Sequence, residues 1–378
     1  MHPTELILSP RLRKTAFEER VYELGVQSFT IYNHMTLPVA FSSNPEAYQH
    51  LCEHVQVWDV AAERQVEVIG PDALQLVELI TPRDISRCAV GQCVYAPLAD
   101  QDGLVVNDPL ILRLSEDRFW ISIADSDVLL WVKGIAYGRG FDVRVFEPDV
   151  SPLAVQGPKA DDLMADVLDE SVRDIRFFRF IETKIAGTDV VLARSGWSGQ
   201  GGYEIYLQNS ADGLALWDAV WKAGEKYNVK VGAPNLIERL ETGLKSYGSD
   251  MSLTDHVLEC GFESYLNIDK SAEYMARDSI RQLNKQGVQR RLCHLLSEGD
   301  ALPALRDRWE ILNNGSMVGH ASSCAWSPKY NANLLFAMLS IDVSAPGTEL
   351  TVMANGKAVN AQVRNLSLIH ISEPTRPY

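Results

Sequence analysis

The chain has 378 residues, enough for two or three domains that each bury a core. Its 35 basic and 50 acidic side chains give a net charge of −15, which argues against nucleic acid as a partner because phosphates require a basic surface. No apolar run approaches the roughly 18 residues of a membrane span, and residues 1–5 do not resemble a secretory signal. The 6 cysteines are scattered without metal-site spacing, so we expect a cytoplasmic protein without structural zinc. The lack of a long apolar run predicts that a membrane is not a partner.

The first regular pattern is a strand over 65–69, where polar and apolar residues alternate. A helix is predicted after Gly70-Pro71, because its apolar residues then recur at helical spacing. Further strands are predicted at 110–114, 119–123 and 141–145. A second helix is predicted at 128–136.

The same order of elements returns in the next part of the chain. The pattern G-P-x-A-x-x-L of Gly70–Leu76 recurs at Gly157–Leu163, and a hairpin over 184–207, a helix over 214–224 and a strand over 229–231 follow. Each half is therefore predicted to have the order β-α-β-β-α-β, which is a split βαβ unit. Two α+β segments that share a helix start by chance are the alternative, but the matching order favours duplication.

The last third of the chain has a different pattern, in which short strand candidates alternate with turns. These candidates lie at 290–296, 309–312, 316–318, 334–339, 349–352 and 361–364. They predict a small all-β barrel over 286–366. Residues 367–378 do not fit this pattern and resemble a translated sequencing adapter, so we treat them as a non-native tail.

The predicted fold class is α+β. Residues 63–149 are predicted to form the first ferredoxin-like repeat, and residues 1–62 together with 150–285 are predicted to form the region of the second.

A run rich in glycine and aromatic residues, Ser195–Tyr206, joins two predicted strands. Its four glycines permit positive φ or a close approach of a ligand, and its aromatic rings offer flat binding surfaces. Glu204 and Tyr206 are predicted to face the same side of a strand, since side chains alternate with a period of two. We interpret the run as a ligand-binding loop. A glycine-rich hairpin with an outward polar face is the alternative.

Other polar residues lie in apolar surroundings. Asp108 stands between two apolar runs, where a carboxylate costs energy unless it is paired, although a turn aspartate is an equal alternative. Arg239 and Glu241 lie on a predicted helix among leucines, and an internal salt bridge is the expected role of Glu241. His50 and His54 have the spacing of some metal ligands but no apparent third ligand, so no metal site is predicted.

Together these motifs resemble the folate-dependent aminomethyltransferase (glycine cleavage T-protein) superfamily, over about residues 11–364. The features that carry the resemblance are Trp58-Asp59-Val60, Gly91-Gln92-Cys93-Val94-Tyr95, Asn107-Asp108, Val155-Gln156-Gly157-Pro158, Gly201-Gly202-Tyr203-Glu204 and Arg239-Leu240-Glu241-Thr242-Gly243-Leu244. Longer runs, including Tyr32-Asn33-His34-Met35 and 234–239, resemble the branch that demethylates the sulfonium zwitterion dimethylsulfoniopropionate. T-proteins usually have G-Y-T-G-E where this chain has Gly196-Trp197-Ser198-Gly199-Gln200, and the difference favours a small-molecule methyl donor.

The resemblance implies a three-domain ring made of two ferredoxin-like units and a small β-barrel, with 1–62 and 150–285 forming a folate-binding region. It also implies transfer of an S-methyl group to N5 of tetrahydrofolate, which gives 5-methyltetrahydrofolate and 3-(methylthio)propanoate. An aminomethyltransferase, another folate-dependent N- or O-demethylase and a non-catalytic folate-binding protein are the alternatives. A homodimer is left open.

The resemblance also implies roles for individual residues. Asp108 would be catalytic, either orienting N5 or receiving its proton through water. Glu204 would accept hydrogen bonds from the pterin ring, and the other expected folate contacts are Tyr206, Tyr95, Trp197 and Arg239. The expected substrate contacts are Tyr32, Trp197 and Lys245, because aromatic faces attract a sulfonium cation and a lysine can pair with the substrate carboxylate.

Overall fold

The computed structural model describes residues 9–365, so the predicted tail at 367–378 and the N-terminal residues examined for a signal lie outside the described residues. The described residues form two compact units. Unit 1 comprises 9–66, 147–196 and 200–234, and unit 2 comprises 67–146, 197–199 and 235–365. Residues 235–285, which the sequence grouped with the second repeat, belong to unit 2, and the three-domain division stays a prediction.

The helices and strands follow the chain in five groups. The N-terminal segment forms α1 (Glu18–Glu23), β1 (Ser28–Tyr32), β2 (Met35–Ala40), α2 (Asn44–Glu53) and β3 (Val55–Asp59). The first half of the duplication forms β4 (Gln65–Ile69), α3 (Ala73–Ile80), β5 (Gln92–Tyr95), β6 (Leu98–Ala99), β7 (Val105–Asn107), β8 (Leu110–Ser115), β9 (Arg118–Ser122), α4 (Val128–Arg139) and β10 (Arg144–Phe146). The second half forms β11 (Ser151–Gln156), α5 (Ala160–Val167), β12 (Phe180–Ile185), β13 (Thr188–Ala193), β14 (Gly202–Leu207), α6 (Gly213–Gly224) and β15 (Val229–Gly232). Two helices come next, α7 (Leu236–Thr242) and α8 (Arg277–Gln286). The C-terminal group is β16 (Arg290–Ser297), β17 (Trp309–Asn313), β18 (Ser316–Ser327), β19 (Ala332–Ser340), β20 (Glu349–Ala354) and β21 (Lys357–Arg364).

The two halves of the predicted duplication form sheets with the same core order. The first sheet is β10-β4-β9-β8-β5 and the second is β12-β13-β14-β11-β3-β15. Both contain the predicted split βαβ arrangement, but each also has an additional edge strand, β5 or β12, that the sequence analysis did not include in the repeat. In the second sheet, β3 from the N-terminal segment lies between β11 and β15 and pairs with β15 in parallel.

The repeated glycine of the G-P motif is required for the same structural reason in both halves. Gly70 follows β4 with φ +142°, and Gly157 follows β11 with φ +123°. A Cβ at Gly70 would lie 2.5 Å from the carbonyl oxygen of Asp142, and a Cβ at Gly157 would overlap the carbonyl oxygen of His54. Both positions therefore need glycine for its backbone angle and for the close approach of a neighbouring chain segment.

Replacing Gly157 with alanine is expected to destabilise the protein by about 1–3 kcal/mol or more, because strain at positive φ adds to an overlap with backbone that cannot move cheaply. Urea denaturation of the variant and the parent measures this change. Gly187→Ala is the matched control, since Gly187 has φ +84° but a Cβ added there would have no atom within 4 Å. Equal losses in the two variants would contradict the overlap as the dominant cause.

The C-terminal strands close into the predicted barrel. Its strand order is β16-β19-β18-β17-β20-β21, and each of the six predicted segments corresponds to one strand. The barrel interior is lined by buried apolar side chains, among them Ile311, Leu335 and Val352. The α+β class, the duplicated units and the closed barrel are thus confirmed. Across residues 9–365, every helix is too short or too polar to cross a membrane.

Candidate active site

Asp108 is positioned in unit 2 by the end of β7 and by a hydrogen bond from Tyr95. The Tyr95 hydroxyl donates to Oδ2 of Asp108 over 2.8 Å. The side chain of the preceding residue, Asn107, is held by the backbone of Ala124, which fixes the chain at this point. Burial raises the pKa of Asp108 to about 7, while the Tyr95 hydroxyl and the charge of Lys245 oppose the increase. Asp108 is therefore a carboxyl that can take or release a proton near neutral pH.

Tyr95 also belongs to an aromatic cluster in unit 2, which consists of Tyr95, Phe262 and Tyr265. The centre of the Tyr95 ring lies 5.0 Å from the centre of the Tyr265 ring, in an edge-to-face arrangement, and 6.1 Å from the centre of the Phe262 ring. Lys245 Nζ lies 4.7 Å from the centre of the Phe262 ring and donates to the carbonyl oxygen of Gly261 over 3.1 Å. Burial lowers the pKa of Lys245. Its ammonium group makes no ion pair with a carboxylate of residues 9–365, so it can bind an incoming anion.

Glu204 is positioned in unit 1 on β14. Its Oε2 accepts hydrogen bonds from the hydroxyls of Ser195 and Tyr206, the latter over 3.3 Å. Burial raises the pKa of Glu204, and the two hydroxyls oppose this increase. The bond between Glu204 and Tyr206 confirms that they share one side of the strand. Tyr206 is buried, so this side is not the outward polar face of the alternative interpretation.

The glycines of the Ser195–Tyr206 run all have positive φ. In unit 1, a Cβ on Gly196 or Gly202 would overlap the side chain of Gln156. In unit 2, a Cβ on Gly199 would overlap the methyl group of Thr242 on α7. These three glycines are thus required by the packing of the loop on neighbouring protein groups.

Arg239 on α7 is wholly engaged by protein groups. Its guanidinium forms an ion pair with Asp250, donates to Ser323 Oγ, and donates to the carbonyl oxygen of Leu244 over 3.1 Å. It also lies 5.8 Å from the centre of the Trp197 ring. Only 3% of Arg239 is exposed, which favours a structural role over the predicted folate contact. The same ion pair supports Trp197, because Arg239 is held beneath its ring.

The residue before Arg239 is a buried acid. Glu238 is 1% exposed, and neither of its carboxyl oxygens has a hydrogen-bond partner among residues 9–365. Burial raises the pKa of Glu238 to about 8, so the side chain is neutral at pH 7. Glu241, for which a salt bridge was expected, accepts a hydrogen bond from Ser327.

The remaining predicted positions lie elsewhere in unit 1. Tyr32 ends β1 beside a two-residue turn and packs against Met35, Leu37 and Ala62. His50 is hydrogen-bonded through Nε2 to the carbonyl oxygen of Asn228 over 2.9 Å. Within the described residues, no group of three or more His, Cys, Asp or Glu side chains is arranged to hold a metal ion.

The structure therefore brings the predicted site residues together in pairs. Tyr95 contacts Asp108, Glu204 contacts Tyr206, and Arg239 contacts Trp197. The hydrogen bond from Ser195 to Glu204 and the aromatic partners of Tyr95 were not predicted from the sequence. Ser195 follows the end of β13 by two residues, and the pairing of β13 with β14 was the signal that could have shown its role.

Comparisons with known proteins agree with this architecture. The chain matches the GCVT N-terminal domain over residues 17–270 and the glycine cleavage T-protein C-terminal barrel domain over 290–369. It is 47% identical over 344 residues to the dimethylsulfoniopropionate demethylase DmdA of Ruegeria pomeroyi, covering 91% of this chain and 94% of that protein. It is 28% identical over 368 residues to an aminomethyltransferase of Symbiobacterium thermophilum, covering 94% and 97%.

A solved structure shows the same fold. The glycine cleavage system aminomethyltransferase T from Bartonella henselae superposes with a TM-score of 0.84 at 21% sequence identity, covering 94% of this chain and 97% of that one. The family predicted from the motifs is confirmed by the two domain matches. The chain belongs to the glycine cleavage T-protein family.

Proposed function

We propose that this protein demethylates dimethylsulfoniopropionate, with tetrahydrofolate as the methyl acceptor. The observation that carries the proposal is the hydrogen-bonded pair of Tyr95 and Asp108, a carboxyl whose pKa burial raises to about 7. The 47% identity to a dimethylsulfoniopropionate demethylase supports the choice of methyl donor.

The described side chains fit the groups that folate presents. A pterin ring offers N–H donors, and Glu204 has one oxygen, Oε1, that makes no hydrogen bond with residues 9–365. Its other oxygen is held by Ser195 and Tyr206, so the free oxygen has a fixed direction. We propose that Glu204 accepts hydrogen bonds from the pterin, with Tyr206, Tyr95 and Trp197 providing aromatic surface. We propose that Arg239 contributes to folate binding indirectly, because it packs against the ring of Trp197.

When bound, tetrahydrofolate would supply N5 as the methyl acceptor, and the products would be 5-methyltetrahydrofolate and the neutral thioether 3-(methylthio)propanoate. Asp108 would orient the amine through a hydrogen bond and accept the proton that the amine must lose, either directly or through water. Tyr95 holds the Asp108 carboxyl in one orientation for this role. No covalent protein intermediate is needed, because a sulfonium is already a good methyl donor and positioning lowers the barrier.

The zwitterionic donor needs two kinds of contact. We propose that the faces of Trp197 and Tyr32 attract the sulfonium cation. Lys245, which has no carboxylate partner within the described residues, would pair with the substrate carboxylate.

The experiment that tests this function is incubation of the purified protein with tetrahydrofolate and dimethylsulfoniopropionate. We expect both 5-methyltetrahydrofolate and 3-(methylthio)propanoate to form in equal amounts. The 28% identity to aminomethyltransferases keeps a second candidate, an N-methyl or aminomethyl donor, which a panel including N-methylated glycines and aromatic methyl ethers would detect. Folate binding without methyl transfer from any donor would contradict both and indicate a non-catalytic folate-binding protein.

Replacing Glu204 with glutamine is expected to weaken tetrahydrofolate binding about tenfold or more, because a charge-assisted hydrogen bond to the pterin is lost. Equilibrium binding followed by intrinsic fluorescence measures the change without requiring turnover. Glu182→Gln, an exposed position on β12 of the same sheet, is the control and should bind as the parent does. Unchanged affinity in Glu204→Gln would remove the pterin contact from the proposal.

A cytoplasmic location and a homodimer stay predictions from the sequence. Cell fractionation tests the first, and light scattering on the purified protein tests the second. The acidic net charge of −15 supports the prediction that nucleic acid is not a partner.

A further inference from the structure

Arg83 stands out in unit 2 as a half-buried cation without an anionic partner. Its guanidinium forms no hydrogen bond or ion pair with residues 9–365, and its contact is with the ring of Tyr265, whose centre lies 5.6 Å away. Two other arginines of this unit are paired, Arg118 with Glu67 and Arg290 with Glu259. Burial lowers the pKa of Arg83, and its interactions with Tyr265 and Cys88 oppose this decrease only in part.

The backbone that carries Arg83 is held rigidly. The buried ammonium of Lys270 donates to the carbonyl oxygens of Thr81 and Arg83, over 2.9 and 2.8 Å, and also pairs with Glu78. The amide of the next residue, Asp84, donates to the side chain of Asn267 over 2.9 Å. An unpaired cation on a loop fixed in this way is preorganised for a ligand, because little conformational entropy is lost when it binds.

The location of Arg83 connects it to the candidate catalytic pair. Its partner Tyr265 packs edge to face on Tyr95, and Tyr95 donates to Asp108. Arg83 and Asp108 are thus linked through two rings of the aromatic cluster, all within unit 2. In a protein with a net charge of −15, an anionic group near Asp108 requires a local cation.

We propose that Arg83 binds a carboxylate group of a ligand at the edge of the aromatic cluster. This proposal rests on the proposed function, which offers two carboxylates of the same chemistry: the glutamate of folate and the carboxylate of the sulfonium substrate. A guanidinium suits either one, because its planar donors match a carboxylate in a bidentate arrangement.

The test compares binding of tetrahydrofolate with binding of tetrahydropteroate, which lacks the glutamate, by titration calorimetry. The parent should prefer tetrahydrofolate, and Arg83→Gln should lose this preference by weakening tetrahydrofolate binding about tenfold while tetrahydropteroate is unaffected. Arg83→Lys should recover part of the loss. Arg87→Gln, an exposed arginine in the same segment, is the matched control and should behave as the parent.

A second measurement, KM for dimethylsulfoniopropionate, tests whether the carboxylate belongs to the substrate. If tetrahydrofolate affinity is unchanged in Arg83→Gln but KM for dimethylsulfoniopropionate rises about tenfold, Arg83 binds the substrate carboxylate and the proposal stands. If neither quantity changes in a folded Arg83→Gln protein, the proposal is overturned. Failure of the parent to bind folate at all would instead overturn the proposed function, so the two failures are distinguishable.

Discussion

Replacing Asp108 with asparagine is expected to lower turnover about 100-fold or more and to change tetrahydrofolate affinity only a few-fold. The carboxylate is needed to accept the amine proton, an effect typically worth about 10²–10⁴ in rate, whereas asparagine keeps the size and one hydrogen-bond acceptor. Product formation at saturating substrate measures turnover, and equilibrium binding measures affinity. Unchanged turnover would show that Asp108 does not have the catalytic role.

The pH dependence of turnover is an independent test of the role of the Asp108 carboxyl. Because the ionised form is the base, turnover of the parent should rise as pH increases through about 7, and Asp108→Asn should lack this rise. Tyr95→Phe is the matched variant. It removes a hydrogen bond that lowers the pKa of Asp108, so the rise should move to higher pH. A rise that persists unchanged in Asp108→Asn would assign it to another group.

Replacing Arg239 with methionine is expected to cost about 3–5 kcal/mol of stability, because the carboxylate of Asp250 would remain buried without its cation. The side chain of Asp250 also accepts hydrogen bonds from Ser322 and Ser323, so it cannot turn towards solvent without losing them. Urea denaturation measures the loss. Combining the change with Asp250→Asn should recover part of it, since the unpaired charge is then removed.

An exposed ion pair of the same unit is the control for this result. Arg281 pairs with Asp269 over 2.9 Å at the surface, and Arg281→Met should change the free energy of unfolding by no more than about 1 kcal/mol. If Arg239→Met is as stable as the parent but binds folate poorly, Arg239 is a binding residue as the sequence analysis expected. Loss of stability at both positions alike would contradict the difference in burial as the cause.

Much of the fold could be predicted because local patterns and tertiary packing agree. The alternation over Gln65–Ile69 and the G-P motif after it both reflect constraints that can be read within one short segment. The position of β3 could not be predicted, because its partners β11 and β15 lie far away in the sequence. The edge strands β5 and β12 were missing from the predicted repeat because each is an extra strand after the first helix of its half, outside the β-α-β-β-α-β order.

The candidate site was predicted at the level of residue types and less well at the level of partners. Asp108 was identified because a carboxyl between apolar runs needs an explanation, and Glu204 because it is the single carboxylate of the run Ser195–Tyr206. The resemblance implied that Arg239 contacts folate, and its ion pair with Asp250 could not be predicted because Asp250 lies outside α7, in a part of the chain with no pattern that links it to this helix. Arg83 was overlooked since an arginine after a helix is ordinary, and its burial without a carboxylate partner among the described residues is visible only in the structure.

The buried side chain of Glu238 links folding to the uptake of a proton. With a pKa raised from 4.5 to about 8, this group is protonated in the folded protein at pH 7 but ionised in an unfolded chain. Its contribution favours the folded state most below pH 4.5 and is lost as pH rises through about 8. The heat of unfolding at pH 7 therefore includes the ionisation enthalpy of the buffer that receives the proton, and the charge on the folded molecule is less negative than the formal sum over its side chains.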